Sequence, residues 1–137
     1  MSICSLPVYR FMSKDVKTAT EDDTIQTVCR IMYENDIGSI VITKRTIEGI
    51  KPIGILTERD IVRLIGTSKL FTVQTVVREI MKYPLITIDS NRSVSDAITV
   101  MNTKNIRRIL VIDENQKMVG ILTERDVFRA IDTASST

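Results

Sequence analysis

The chain contains no histidine. That removes the side chain most often used as a general base or metal ligand at neutral pH. Its two cysteines, Cys4 and Cys29, lie far apart and form no C-x-x-C pair, so neither a zinc site nor a disulfide framework is expected. Aromatic residues make up only 4%, and nineteen basic residues against seventeen acidic leave a net charge of +2. That balance argues against a nucleic-acid surface. The five glycines, at 38, 49, 54, 66 and 120, are scattered; they build no P-loop or G-x-G-x-x-G, and there is no G-x-S-x-G. No apolar run approaches the roughly 18 residues of a membrane helix. The opening MSICSLPVYRFM lacks the basic start and long apolar centre of a secretory signal. These absences point away from an enzyme, a catalytic cofactor, a metal and a membrane, and toward the cytoplasm.

What is present is ordinary in bulk and unusual in order. The 137 residues are 43% hydrophobic and 26% charged, a folded composition of one domain or two small units sharing a core. GILTERD occurs at 54–60 and again at 120–126. Shifting the chain by 69 residues lays Val8, Phe11 and Met12 on Val77, Ile80 and Met81, and lays 24–37 on 93–106. Beyond the middle the offset becomes 66, because the first half carries three extra residues in the turn TKRTIEGIKP. The chain is therefore a duplication.

Each copy reads alike. VKTAT and LITID alternate like half-buried strands. Ile25, Val28, Cys29 and Met32, like Val94, Ala97, Ile98 and Met101, recur at helical spacing. Asp23 or Thr24 can cap the first of these helices, and Ser93-x-x-Asp96 fits a capping-box start for the second. SIVIT and RRILVID, then PIGIL and MVGIL, are β-branched strands, and TERDIVRLI and TERDVFRAI open new helices. The expected class is α/β (α+β): two pseudo-symmetric β-α-β-β-α repeats, 8–66 and 77–132, packed sheet to sheet as one module. Across the linker at 67–76, the apolar spacing of Val73, Val76, Val77 and Ile80 predicts a helix leading into repeat two. Lys44 and Arg45 read as exposed loop charges, Cys29 as core, and DTASST as a frayed tail. One copy alone, about 55 residues, buries too little surface to be comfortably stable. Two packed copies leave equivalent clefts where they meet, and such clefts take small ligands.

TERD supports two readings. Thr57 and Thr123 stand where a strand yields to a helix, and Asp60 and Asp126 sit at N3, so the motif can be a plain cap. The same carboxylate, in the first turn of a helix, can accept two hydrogen bonds from a ribose diol, as acidic residues do in dinucleotide-binding folds. Capping needs only Thr and a carboxylate. It leaves the repetition of Glu58 and Arg59, and of GIL, unexplained.

The two β-α-β-β-α copies, the apolar-Met pair before each first strand, NDIGSIVI with KNIRRILVI, and the closing GILTERD resemble a tandem pair of CBS domains, regulatory modules named after cystathionine β-synthase. The resemblance covers roughly residues 8–131. It implies a module with two clefts that binds an adenosine compound: AMP, ADP, ATP or S-adenosylmethionine. It assigns ribose to Thr57 and Asp60 in one cleft and to Thr123 and Asp126 in the other. It places adenine beside Val16, Thr18, Ile37, Gly38, Ser39, Leu85, Thr87 and Ile106; for Val16, Ile37, Leu85 and Ile106 plain core packing is the competing role. Phosphate falls to Arg107 and Arg108, helped by Arg125, at the Thr57/Asp60 cleft, and mainly to Arg59 and Lys14 at the other. Strand alternation turns only one of Arg107 and Arg108 toward a cleft. The first cleft is thus expected to prefer phosphorylated ligands, and the second to be weaker or to accept an uncharged tail. The resemblance further implies a homodimer; the amphipathic helices TERDIVRLI and TERDVFRAI are its expected interface, with internal packing as their competing role, and output is expected to pass to an effector that is another polypeptide. The competing class is a ligand-free dimerisation or docking module in which TERD is only a cap; nucleic-acid binding is a weaker third.

Overall fold

The order β-α-β-β-α does occur twice. The first copy is β1 (Thr18–Thr20), α1 (Ile25–Asn35), β2 (Ser39–Thr46), β3 (Gly49–Thr57) and α2 (Glu58–Thr67). The second is β4 (Thr87–Asp89), α3 (Val94–Lys104), β5 (Arg108–Ile112), β6 (Met118–Thr123) and α4 (Glu124–Ser135). The computed structural model describes residues 2–68, 72–83 and 85–135, without the side chains of 133–135. Each copy forms a three-stranded sheet: β1 runs parallel to β2 and β2 antiparallel to β3, and β4, β5 and β6 repeat this. A parallel pair needs a crossover, which α1 and α3 supply.

The helices form for local reasons. Thr24 Oγ1 accepts from Thr27 N at 3.2 Å and Ser93 Oγ from Asp96 N at 3.0 Å, satisfying donors that a helix start leaves orphaned. Both helices end on a left-handed residue, Asp36 at φ 51° and Asn105 at φ 54°. There Ile37 N and Ile106 N close back on the carbonyls of Met32 and Met101 at 3.0 and 2.9 Å. Ile25, Val28 and Met32 are buried on α1, and Val94, Ala97 and Met101 on α3.

The spatial units do not follow the sequence repeats. One unit comprises Lys17–Leu85; the other joins Met1–Val16 to Ile86–Thr137. Each lead-in segment thus closes the core of the copy it does not precede. Val8 lies in the core of the second copy with Ile109 and Leu122, and Val77 in that of the first with Ile40 and Leu56. The backbone clips match: Val77 N donates to Asp23 O at 2.9 Å and Ile25 N to Thr75 O at 2.9 Å. In the other unit Val8 N donates to Arg92 O at 2.8 Å and Val94 N to Leu6 O at 2.9 Å.

Several local expectations change. The helix predicted through Val73–Ile80 is a single 3-10 turn, Val77–Glu79, and it packs into the first copy's unit. Its apolar residues serve a docked extended segment, held by backbone hydrogen bonds that a continuous helix would consume. Lys44 and Arg45 are strand residues, still exposed, because the extra residues of the first turn lengthen β2 and β3 instead of a loop. Asp23 does not cap α1; its carboxylate accepts from Thr20 N at 2.8 Å. Asp96 leaves its box half made, because Arg92 Nε takes its Oδ2 at 2.9 Å and holds that carboxyl below its ordinary range. The tail is helical through Ser135. Cys29 packs on the first core, where burial pushes its thiol up.

Candidate functional site

The repeated heptapeptide is the end of β3 running into α2, and the end of β6 running into α4. Its letters divide by role. Leu56 and Leu122 are fully buried. Gly54 and Gly120 lie under the lead-in segment of their own unit: an added Cβ would come within 2.9 Å of Met81 Sδ and Lys82 O at Gly54. At Gly120 it would meet Met12 Sδ at 2.5 Å and Ser13 O at 2.8 Å. The glycine is therefore required by close approach of backbone, a reason the sequence does not display. The pair Met81-Lys82 on β3, and Met12-Ser13 on β6, is held there by reciprocal hydrogen bonds to Ile55 and Ile121.

Thr57 and Asp60 form a complete capping box. Asp60 N donates to Thr57 Oγ1 at 3.1 Å, and Thr57 N donates to Asp60 Oδ2 at 3.1 Å. The Thr57 hydroxyl adds a bond to Asp60 Oδ2 at 2.8 Å. Thr123 and Asp126 repeat the box at 3.1 and 2.9 Å, again through Oδ2. The cap thus engages one carboxylate oxygen and leaves Oδ1 outside it in both units. Glu58, Arg59, Glu124 and Arg125 are exposed. Neither the cap nor the core accounts for their repetition.

The start of the second strand lies against this helix end. Ser39 pairs directly with Thr57, and Arg108 with Thr123. Glu58 N donates to Gly38 O and Glu124 N to Arg107 O, both at 3.0 Å. Opposed residues of an antiparallel pair share a face, so Arg108 flanks Thr123 as Ser39 flanks Thr57. Arg107 is exposed and Arg108 half-buried. Ile37 and Ile106 are half-buried against their cores. Val16 and Leu85 are half-buried, and Lys14, Thr18 and Thr87 are exposed. By unit, Thr18, Ile37, Gly38, Ser39, Thr57, Arg59, Asp60 and Leu85 fall together, and Lys14, Val16, Thr87, Ile106, Arg107, Arg108, Thr123, Arg125 and Asp126 in the other.

One residue was missed. Lys82 Nζ lies 3.3 Å from Asp60 Oδ1, the oxygen the cap does not use. The signal was available: at an offset of 69, Lys82 falls on Ser13, a change of charge between copies. Among the described residues no three His, Cys, Asp or Glu side chains gather as metal ligands, and no helix is long and apolar enough to cross a membrane.

Comparison with known families finds the CBS domain at residues 8–67 and again at 77–133. The chain belongs to the CBS-domain family. This CBS pair is similar to an uncharacterized protein of Methanopyrus kandleri, 34% identical over 125 residues, which cover 91% of this chain and 62% of that protein. The chain thus spans under two thirds of that relative's length. Among solved structures, it is similar to an uncharacterized conserved protein from Pyrococcus horikoshii, with 28% identity, a TM-score of 0.81, and coverage of 95% and 94%. It is also similar to the CBS domain pair of protein MJ0100, solved in complex with 5′-methylthioadenosine and S-adenosyl-L-methionine. There identity is 26%, the TM-score 0.80, and coverage 93% and 97%.

Proposed function

We propose that this CBS pair is a non-catalytic regulatory module that binds an adenosine compound, with Asp60 and Asp126 accepting the ribose hydroxyls. The observation that carries the reading is the duplicated carboxylate geometry. Each side chain caps its helix through Oδ2 and keeps Oδ1 outside the cap. A carboxylate fixed in this way is preorganised to accept a diol. The adenosine ligands held by the similar CBS pair of MJ0100 support the same class. Thr57 and Thr123 complete the ribose contacts. The half-buried Ile37 with Gly38 and Ser39, Ile106, Val16, Leu85, and the strand starts at Thr18 and Thr87 line the base. Arg107, Arg108, Arg125, Arg59 and Lys14 supply charge for phosphate, since guanidinium groups pair with it bidentately.

Calorimetry with AMP, ADP, ATP and S-adenosylmethionine tests this on the wild type and on Asp60→Asn and Asp126→Asn. A charge-assisted hydrogen bond contributes about 1.5–3 kcal/mol, so each substitution weakens its own site roughly 10–100-fold. Arg107→Ala and Arg108→Ala cost AMP more than adenosine. Absence of binding heat with every compound would sink the reading.

Assembly of two copies through α2 and α4 is part of the proposal. Val62 is 67% exposed and Phe128 73%, and each is followed three residues on by exposed Ile65 or Ile131. Residues three apart share a helix face, so each TERD helix presents an apolar pair to solvent. The same faces favour the second reading, a ligand-free dimerisation module. Sedimentation of Val62→Glu and Phe128→Glu, beside the calorimetry, separates pairing from binding. A ligand bound in this way acts by shifting the module between two arrangements, in proportion to its differential affinity for them.

A further inference from the structure

We infer that Lys82 is a specificity-determining residue that makes the two ribose carboxylates unequal: Asp126 takes uncharged adenosine compounds directly, whereas Asp60 takes ligands whose anionic group draws Lys82 away. The inference rests on the ribose reading above and traces the difference expected between the two sites to one side chain. It starts from one backbone position occupied by two different side chains. In the first copy's unit, Lys82 N donates to Ile55 O at 3.1 Å and Ile55 N to Lys82 O at 3.3 Å. In the other, Ser13 N donates to Ile121 O at 2.8 Å and Ile121 N to Ser13 O at 2.9 Å. The backbone is thus pinned at the same place on the strand that leads into TERD.

From that place a lysine reaches the helix cap and a serine does not. Lys82 Nζ sits 3.3 Å from Asp60 Oδ1, while Oδ2 already accepts from Thr57, so both oxygens are engaged. Among the described residues no cation lies within ion-pair distance of Asp126, whose Oδ2 alone serves the cap. The ammonium competes directly with a diol for Oδ1. Its hold is conditional: the Asp60 side chain is only 8% exposed and fixed, but that of Lys82 is 59% exposed on a flexible stem. A phosphate offers the ammonium a second partner at little cost and frees Oδ1. A neutral or cationic tail offers none.

The test uses 5′-methylthioadenosine as the uncharged probe and AMP as the anionic one, titrated calorimetrically. Asp126→Asn and Asp60→Asn each leave one carboxylate site intact. In the wild type, methylthioadenosine affinity is expected to fall at least tenfold with Asp126→Asn and less than twofold with Asp60→Asn, whereas AMP responds to both. Adding Lys82→Ser to Asp126→Asn raises methylthioadenosine affinity about two- to fivefold, the range expected for releasing a partly exposed ion pair. Adding Ser13→Lys to Asp60→Asn lowers it by a similar factor, and Lys82→Arg keeps the wild-type preference. If both probes bind but methylthioadenosine ignores Lys82→Ser and Ser13→Lys, the inference is wrong and the ribose reading stands. If neither probe binds the wild type or Lys82→Ser, the inference falls, and if ADP, ATP and S-adenosylmethionine also give no heat the ribose reading falls with it. Both positions are exposed, so unfolding midpoints of Lys82→Ser and Ser13→Lys should stay close to those of their Asp→Asn parents, Lys82→Ser losing only the partly exposed ion pair with Asp60.

Discussion

The two units share a frame and differ in charge around it. Strand pairing, helix caps, left-handed helix ends and the contact over the glycine recur at equivalent positions. The register irregularity also recurs, between Ile42 and Thr43 and between Val111 and Ile112. The clip of the first copy's unit is charged: Arg78 pairs with Asp22 and lies 3.6 Å from Glu21. Its counterparts in the other unit are Tyr9, Ser90 and Asn91, which pair no charges. The ion pair of Lys82 with Asp60 has Ser13 as its opposite number. Even the hairpins diverge. β2 and β3 run on to Thr46 and Gly49, whereas Asp113 Oδ1 gathers the N–H groups of Asn115 and Lys117 at 2.9 Å in a short turn. Duplication kept what backbone geometry demands and let drift what long, solvated side chains decide.

Three pairs of substitutions at equivalent positions break or sharpen this comparison. The largest effect is expected at the shared glycines. Gly120→Ala forces a methyl group against Ser13 O at 2.8 Å and Met12 Sδ at 2.5 Å, and overpacking of this kind costs about 1–3 kcal/mol. Gly54→Ala meets its nearest atoms at 2.9 Å and should cost less, so urea midpoints should rank Gly120→Ala below Gly54→Ala. Equal midpoints would mean the lead-in segments yield alike. Next come the caps: Thr57→Ala and Thr123→Ala each lose about 1 kcal/mol, with Thr57 the larger because its hydroxyl also bonds Asp60. Thermal denaturation of the pair measures the difference. The smallest effect is Arg78→Ala. Its side chain is 51% exposed, so the loss stays under about 1 kcal/mol and shrinks as salt rises. Tyr9→Ala at the equivalent position should show no such salt dependence.

Much of this was legible in the letters. The duplication, the order of elements and the caps rest on residues three or four apart, or on one face of one element, so the chain displays them locally. The carboxylates of Asp60 and Asp126, proposed above for ribose, were legible as caps for the same reason, since T-x-x-D is a first-turn pattern. GIL was not: its glycine answers to Met81 or Met12, and its leucine to a core drawn from distant segments. The lead-in helix failed because helical spacing of Val73, Val76, Val77 and Ile80 is also what a docked extended segment with a single turn produces.

By itself, then, the sequence determined that one unit is written twice and that each writing ends in a capped helix bearing an acid. Only the tertiary structure decided that each lead-in closes the other copy's core, and that Lys82 meets Asp60 while Ser13 leaves Asp126 alone. The reason is physical. Caps and periodicities are satisfied within a turn or a strand, whereas partnership between residues twenty or more positions apart exists only once the chain has closed its loops, and no local pattern records which partner wins.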